Sequence, residues 1–108
     1  MWRTLPLLAF LALVACSHRR TVSCQTEHQH LMLCHEWRDA SEELVAEVKG
    51  PICHSGDETF VDAPCPTANV IGVCTHGSER TLFYANPDFP YDGHKGCESL
   101  GDVWSATP

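Results

Sequence analysis

The sequence predicts a small, disulfide-rich α+β domain built on an antiparallel sheet. A chain of 108 residues can bury one compact core but not two. Seven cysteines are many for this length, and short runs rich in β-branched and aromatic residues alternate with turn-forming Gly and Pro. The two halves also repeat a similar order of elements. This repetition favours two diverged units, each with two strands, a helical or loop segment and a third strand, written β-β-(α)-β.

The first half contains the clearest elements. Val22 and Cys24 mark a first strand, and the polar residues 25–30 predict a hairpin-like connection to a second strand at 31–37. Asp39, with Glu42 three residues later, resembles a capping box. Apolar residues at positions 40, 44, 45 and 48 then predict an amphipathic helix that is ended by Gly50-Pro51.

The second half is predicted to be mostly short strands and turns. Residues 76–78 predict a turn, and residues 86–96, rich in Pro and Gly, predict a loop or a poor helix. The expected strands are at 59–61, 70–74, 81–85 and 103–105. The large aromatic residues are expected in the core rather than in an exposed ligand site: Trp37, Phe60, Phe83, Tyr84 and Trp104.

The N-terminal residues have the features of an export signal. Arg3 gives a positive start, residues 5–14 form an apolar run, and small residues precede Cys16. About ten helical residues rise roughly 15 Å, whereas the hydrocarbon core of a bilayer is roughly 30 Å thick. The run is therefore too short for a membrane span, and cleavage is expected near its end. The alternatives are cleavage directly before a lipidated Cys16 and an ordinary secretory signal with Cys16 incidental.

The four residues Leu13-Val14-Ala15-Cys16 resemble the lipobox of bacterial lipoproteins. The resemblance implies a diacylglycerol on the Cys16 sulfur, cleavage before Cys16, and acylation of the freed amine, for example by palmitate. It predicts a signal peptide at 1–15, a lipidated tether at 16–23 and a cysteine-rich domain at 24–108. By the sorting rule of related lipoproteins, Ser17 favours the outer membrane of the cell envelope.

The charge balance argues against nucleic acid as a partner. The chain has 7 Lys and Arg against 14 Asp and Glu, whereas binding to phosphates needs clustered basic side chains. The expected partners are therefore the membrane, through the lipid on Cys16, and an envelope protein that the sequence does not identify.

Lipidation of Cys16 also leaves an even number of cysteines. An odd thiol is a liability in an oxidising compartment, and six cysteines suit three disulfides. None of the six forms a Cys-x-x-Cys motif, which argues against a redox pair or a zinc ribbon. The disulfide candidates are Cys24, Cys34, Cys53, Cys65, Cys74 and Cys97.

A comparison of the two halves predicts how these cysteines pair. After both Cys53 and Cys97, a Ser follows at +2, an aromatic residue at +7 and a Pro at +11. After both Cys24 and Cys74, apolar residues recur at +8 and +9. If each half closes itself in the same way, the pairs are Cys24–Cys53 and Cys74–Cys97, which leaves Cys34–Cys65. Convergence from turn and core requirements is the alternative to duplication.

The part after the signal resembles the small cysteine-rich predicted lipoproteins of myxobacterial type. The resemblance lies in Cys65-Pro66, in the strand Ile71-Gly72-Val73-Cys74, and in Cys97 followed by Gly101 and Trp104. That group has no assigned activity. The resemblance therefore implies an architecture and a location but no catalytic residue.

The histidines form the main candidate constellation. His28 and His30 point to one face if they lie on a strand, and His35 can join them from the neighbouring strand, which suggests a zinc, copper or nickel site. Polar surface residues of a hairpin are the alternative. A second candidate, for calcium, is the oxygen-rich loop of Asn86, Asp88, Asp92 and Gly93, although it lacks the spacing of an EF-hand.

Two classes of function fit these observations. The first is a lipid-anchored envelope protein that acts as a non-enzymatic interaction or structural module. The second is a metal-handling lipoprotein that uses His28, His30 and His35. No enzyme activity and no cofactor are expected, because the chain has no Gly-x-Ser-x-Gly motif and its cysteines are better used in disulfides.

Overall fold

The computed structural model describes residues 19–86 and 93–108, which form six strands and two short helices. The strands make one antiparallel sheet in the order β3-β1-β2-β5-β4-β6. Their bounds are β1 Arg20–His28, β2 His30–Ala40, β3 Glu58–Val61, β4 Val70–His76, β5 Glu79–Tyr84 and β6 Val103–Ser105. Helix α1 spans Glu42–Glu47 and continues as a π-helical turn at Val48–Ile52, and α2 spans His94–Ser99.

The predicted small antiparallel domain with short helices and disulfides is confirmed, although strands make up more of it than an α+β label implies. The predicted signal peptide at 1–15, Cys16, and the calcium candidates Asp88 and Asp92 lie outside the described residues. Within residues 19–86 and 93–108, no helix is long and apolar enough to cross a membrane.

The first two strands are longer than predicted. β1 starts at Arg20, so residues 20–23, which the sequence places in the tether, belong to the sheet. Residues 25–28 continue β1 instead of forming a connection, and the chain reverses at Gln29, whose φ is 68°. Because β1 pairs with β2 on one side and with β3 on the other, the ladders hold these polar residues extended.

Helix α1 starts later than predicted. Asp39 lies in β2 with a φ of 57°, a left-handed conformation that Asp tolerates. The strand continues this far because Ala40 pairs with Arg20. Ser41 is the N-cap, and its Oγ accepts a hydrogen bond from the Leu44 N–H at 3.2 Å. The predicted end at Gly50 is also passed, because the π-helical turn runs through Gly50 to Ile52.

Two helical segments cover the two ends of one face of the sheet, which we call the helical face. α1 and its π-helical turn cover the β1 and β2 side, and the core there is formed by Val22, Cys24, Trp37, Ala40, Val45, Val48 and Cys53. α2 lies over the β4 and β6 side. There Gly72 gives room for the Trp104 ring, and Gly93 lies against the Phe83 ring.

Residues 62–69, the crossing segment, cover the opposite face of the sheet on the way from β3 to β4. Ser23 Oγ donates to the Ala63 carbonyl at 2.8 Å. The Tyr84 hydroxyl donates to the Pro66 carbonyl at 2.6 Å, and burial raises the pKa of Tyr84 to about 12, so it remains a donor. The core below the segment contains Cys34, Cys65, Val73, Leu82 and Tyr84.

A buried ion pair holds the crossing segment to the sheet. Glu36 is only 1% exposed. Its Oε1 accepts from the Cys65 backbone N–H at 2.8 Å, and its Oε2 accepts from Arg80 Nε at 2.8 Å. Both carboxylate oxygens therefore have partners, as a buried charge requires.

Three disulfides attach the covering segments to the strands. They join Cys24 to Cys53, Cys34 to Cys65 and Cys74 to Cys97, the same pairs that the comparison of the two halves predicts. The first and third lie on the helical face and the second lies under the crossing segment.

The strand register changes one part of the predicted repeat. Cys24 lies opposite His35, eleven positions later, whereas Cys74 lies opposite Thr81, only seven positions later. The apolar residues at +8 and +9 therefore do not correspond between the halves. Phe83, which lies opposite Gly72, takes the place of Trp37, which lies opposite Val22.

We expect Glu36→Ala to lower the free energy of unfolding by about 3 kcal/mol, because it leaves Arg80 and the Cys65 N–H without their acceptor. Urea unfolding of the disulfide-bonded chain measures this change. Glu47→Ala, at an exposed position of α1, is the control and is expected to change stability by less than about 0.5 kcal/mol. Equal effects of the two substitutions would contradict the role given to Glu36.

We expect Gly72→Ala to displace the Trp104 ring, because a Cβ atom at Gly72 would overlap Trp104 Cζ2 if the ring stayed in place. Overpacking of this kind costs about 1–3 kcal/mol. Thermal unfolding measures the cost, and the indole N–H resonance of Trp104 reports the displacement. Gly50→Ala is the control, since nothing lies within 4 Å of a Cβ there. An unshifted Trp104 resonance in Gly72→Ala would refute the packing.

Candidate functional site

Among residues 19–86 and 93–108, no segment covers the middle of the helical face between the two helical segments. Two adjoining cavities of about 330 and 290 Å³ lie there, and together we call them the central groove. Leu33 and His35 of β2 and Thr81 and Phe83 of β5 line its floor. They share this face because the register pairs Leu33 with Phe83 and His35 with Thr81. On the other side, the groove is bounded by Cys74, Gly93, Gly96, Cys97 and Leu100.

The groove changes from polar to apolar along the strands. Glu79, Thr81 and Phe83 follow one another at every second position of β5 and all line the groove. Glu79 is at the polar end, together with His76 and Asp102. Phe83 is at the apolar end, where the other lining residues include Leu33, Gly93 and Gly96.

Hydrogen bonds order the polar end. The Trp37 indole N–H donates to Glu79 Oε1 at 2.9 Å. His76 Nδ1 lies 2.6 Å from Asp102 Oδ1, a contact that joins the end of β4 to the residue before β6. The hydrogen bond and the charge of Asp102 raise the pKa of His76.

His35 lies in the middle of the groove. Its ring centroid is 5.9 Å from that of Trp37, and its ring nitrogens make no hydrogen bond with the residues that the structure describes. The surrounding side chains partly remove the imidazole from water, and this lowers the pKa of His35 although Glu79 and Glu58 act in the opposite direction. The lowered pKa favours the neutral ring, which offers both a donor and an acceptor.

The structure separates the three histidines of the predicted metal site. His28 and His30 pair with each other beside the β1–β2 turn. His30 lines a small cavity with Asn69 and Tyr84, whereas His35 lines the central groove. Across residues 19–86 and 93–108, no group of three or more His, Cys, Asp or Glu is placed to hold a metal ion. The structure therefore does not favour the metal-handling alternative.

Sequence reasoning did not single out Glu79, Thr81, Asp102 or Leu100. The alternation along residues 79–83 already indicates that Glu79, Thr81 and Phe83 share one face of a strand. What the sequence lacks is the pairing of β5 with β2 and the gap between the two helical segments. Both are long-range features, and they turn this face into a groove.

Comparison of the chain with protein-family models, with curated proteins and with solved structures finds no match in any of the three. The function of the groove is therefore inferred from its own residues.

We expect His76 and His35 to titrate on opposite sides of the ordinary histidine pKa of 6.5, because Asp102 favours the charged form of His76 while burial disfavours that of His35. Two-dimensional NMR of the imidazole C–H signals against pH measures both values. Signals that titrate together, or in the reverse order, would contradict the geometry of the groove.

The raised pKa of His76 also predicts how the stability of the fold changes with pH. A group with a raised pKa in the folded state stabilises the fold fully below its unfolded pKa, and this contribution is lost as the pH rises through the folded value. We therefore expect the Tm difference between the wild type and His76→Gln to be larger at pH 5.5 than at pH 8.5. His54→Gln, at an exposed position outside the groove, is the control.

Proposed function

We propose that this protein is a lipid-anchored protein of the bacterial cell envelope, with the outer membrane favoured by Ser17, whose domain acts as a non-enzymatic interaction or structural module. The observation that carries the proposal is the lipobox-like Leu13-Val14-Ala15-Cys16 directly after an export-type apolar run. The signal peptide, the lipid on Cys16 and the location are parts of the same proposal.

The use of the cysteines supports the anchor. Six of the seven cysteines are paired in three disulfides, and Cys16 is the seventh. Disulfides form and persist in the oxidising compartments outside the cytoplasm. A thioether at Cys16 would remove the one thiol that has no partner cysteine in this scheme.

The position of the first strand supports a domain that lies close to the bilayer. β1 begins at Arg20, four positions after Cys16. Four extended residues reach at most about 14 Å. The lipid would then hold the end of the sheet that contains Arg20 close to the membrane surface.

The groove supports an interaction role for the domain. It combines carboxylates, a neutral imidazole and apolar side chains in one open concave surface, a composition that suits recognition of a mixed polar and apolar ligand. Leu100 is 78% exposed at its rim. We do not propose a metal-handling function, since His35 lies in a different cavity from His30, the cross-strand partner of His28.

We further propose that the two halves are diverged copies of one β-β-(α)-β unit. The strand order β3-β1-β2 of the first half is mirrored by β6-β4-β5 of the second. Cys24 lies opposite Phe60 on the edge strand β3, and Cys74 lies opposite Trp104 on the edge strand β6. Each half also has one disulfide from its first strand to its helical segment.

We expect Cys16→Ser to abolish incorporation of labelled palmitate and retention in the membrane fraction, because no sulfur remains for the thioether. Metabolic labelling and detergent phase partitioning in a bacterial host measure the two effects. Ser17→Ala is the matched control and is expected to remain lipidated. If Cys16→Ser is labelled and partitions like the wild type, the proposed anchor is wrong.

A further inference from the structure

We propose that the central groove binds an extended peptide segment of a partner protein, with a Lys or Arg side chain at the Glu79 and Asp102 end and a bulky apolar side chain at the Leu33 and Phe83 end. This inference rests on the proposed interaction function of the domain and does not depend on the lipid at Cys16.

The shape of the groove fits a short extended segment. The two cavities share His35, Cys74, Thr81, Leu100 and Asp102, so they form one continuous depression. Its floor runs along β5 from Glu79 to Phe83, four residues or about 13 Å. Two residues of an extended chain that are separated by one other are about 7 Å apart. If one of these two residues is a Lys, its long side chain can cover the rest of the distance to Glu79.

The negative charge at the polar end of the groove favours a basic residue of the peptide there. Among the described residues, Glu79 and Asp102 are the carboxylates that line the groove, and no Lys or Arg lines it. Asp102 already pairs with His76, so Glu79 is the carboxylate that is open to a cation. Trp37 occupies Oε1 of Glu79, whereas Oε2 makes no hydrogen bond with the described residues. An ammonium or guanidinium group can therefore form a charge-assisted hydrogen bond there without displacing Trp37.

The apolar side chains at the other end of the groove favour an apolar residue of the peptide. Leu33 is half-buried and Phe83 lies on the floor beside Gly93. Leu100 reaches the groove from the end of α2 and leaves 78% of its surface exposed. An apolar side chain of the partner placed against Leu100 and Leu33 would remove the exposed surface of these two residues from water, with the buried Phe83 ring as the floor beneath it.

The middle of the groove favours a peptide over a simple cationic amphiphile. The imidazole of His35, whose lowered pKa favours the neutral form, has no hydrogen-bond partner among the described residues, and its cross-strand partner Thr81 lines the groove beside it. These two groups offer both donors and acceptors between the charged and the apolar ends. A peptide bond has one donor and one acceptor at this position, whereas an alkyl chain has neither.

The experiment is an NMR titration of the ¹⁵N-labelled, disulfide-bonded full chain in detergent with short synthetic peptides. The probes are acetyl-Gly-Lys-Gly-Leu-Gly-amide and its reversed order, each with a matched version that has Glu for Lys or Ser for Leu. We expect a Lys–Leu probe to shift the amide signals of His35, Thr81 and Leu100. We also expect the Glu version to bind at least about tenfold more weakly.

Two variants test the two ends separately. Glu79→Gln keeps an acceptor for Trp37 but removes the charge, and we expect it to weaken the Lys–Leu probe about tenfold. Leu100→Ser removes an exposed side chain and should weaken the Lys–Leu probe but not the Lys–Ser probe. Glu47→Gln, on the solvent side of α1, is the control and should leave binding unchanged.

The inference is overturned if the Lys and Glu probes bind equally, if Glu79→Gln has no effect, if the shifts lie outside the groove, or if no probe binds at millimolar concentration. Decyltrimethylammonium, titrated in parallel, tests whether the groove instead binds a cationic amphiphile. If it binds more tightly than the Lys–Leu probe, the peptide assignment is also overturned. A chain that is lipidated at Cys16 but binds no probe would retain the anchor and lose only the peptide site. A chain that carries no lipid but binds the probe would retain the peptide site and lose only the anchor.

Discussion

The fold depends on three disulfides that each attach one covering segment to the sheet. The covering segments are two helices of six residues, one extended by a π-helical turn, and an eight-residue crossing segment. Segments this short are not stable without tertiary contacts. The bonds close loops with separations of 29, 31 and 23 residues, each worth about 3–4 kcal/mol in the chain-entropy estimate. One such contribution is a large part of the net stability of a small domain, about 5–15 kcal/mol.

The Cys34–Cys65 bond also explains how the sheet tolerates a buried carboxylate. Cys34 and Glu36 alternate on β2 and face the same side, so the bond to Cys65 brings the backbone of the crossing segment to Glu36. Arg80, which pairs with Glu36 across β2 and β5, supplies the second partner. The covalent bond and the ion pair therefore hold the same point of the crossing segment, and loss of either would weaken the position of the other.

Local sequence signals predicted the elements better than their ends. Alternation and turn residues located all six strands, and the repeat predicted the disulfide partners. Residues 25–28 read as a connection because they are polar, yet pairing with β2 along all four positions, and with β3 at Gln25 and Thr26, keeps them in β1. Asp39 and Ser41 are both good N-cap residues. Because Ala40 pairs with Arg20, the strand extends past Asp39, and the helix is capped by Ser41. The histidine cluster is not favoured for a related reason, since the hairpin places His30 and His35 beside different cavities.

The position of the groove follows from the matching strand order of the two halves, β3-β1-β2 and β6-β4-β5. His35 and Thr81 lie opposite Cys24 and Cys74 and pair with each other at the centre of the sheet. The helical segments are attached further out, at β1 and β4, so neither one covers this centre. Trp37 and Phe83, which occupy matching positions of the two halves, are both only 7% exposed, but only Phe83 lines the groove. The uncovered centre is thus a consequence of attaching two short helical segments to β1 and β4, on either side of the central strands β2 and β5.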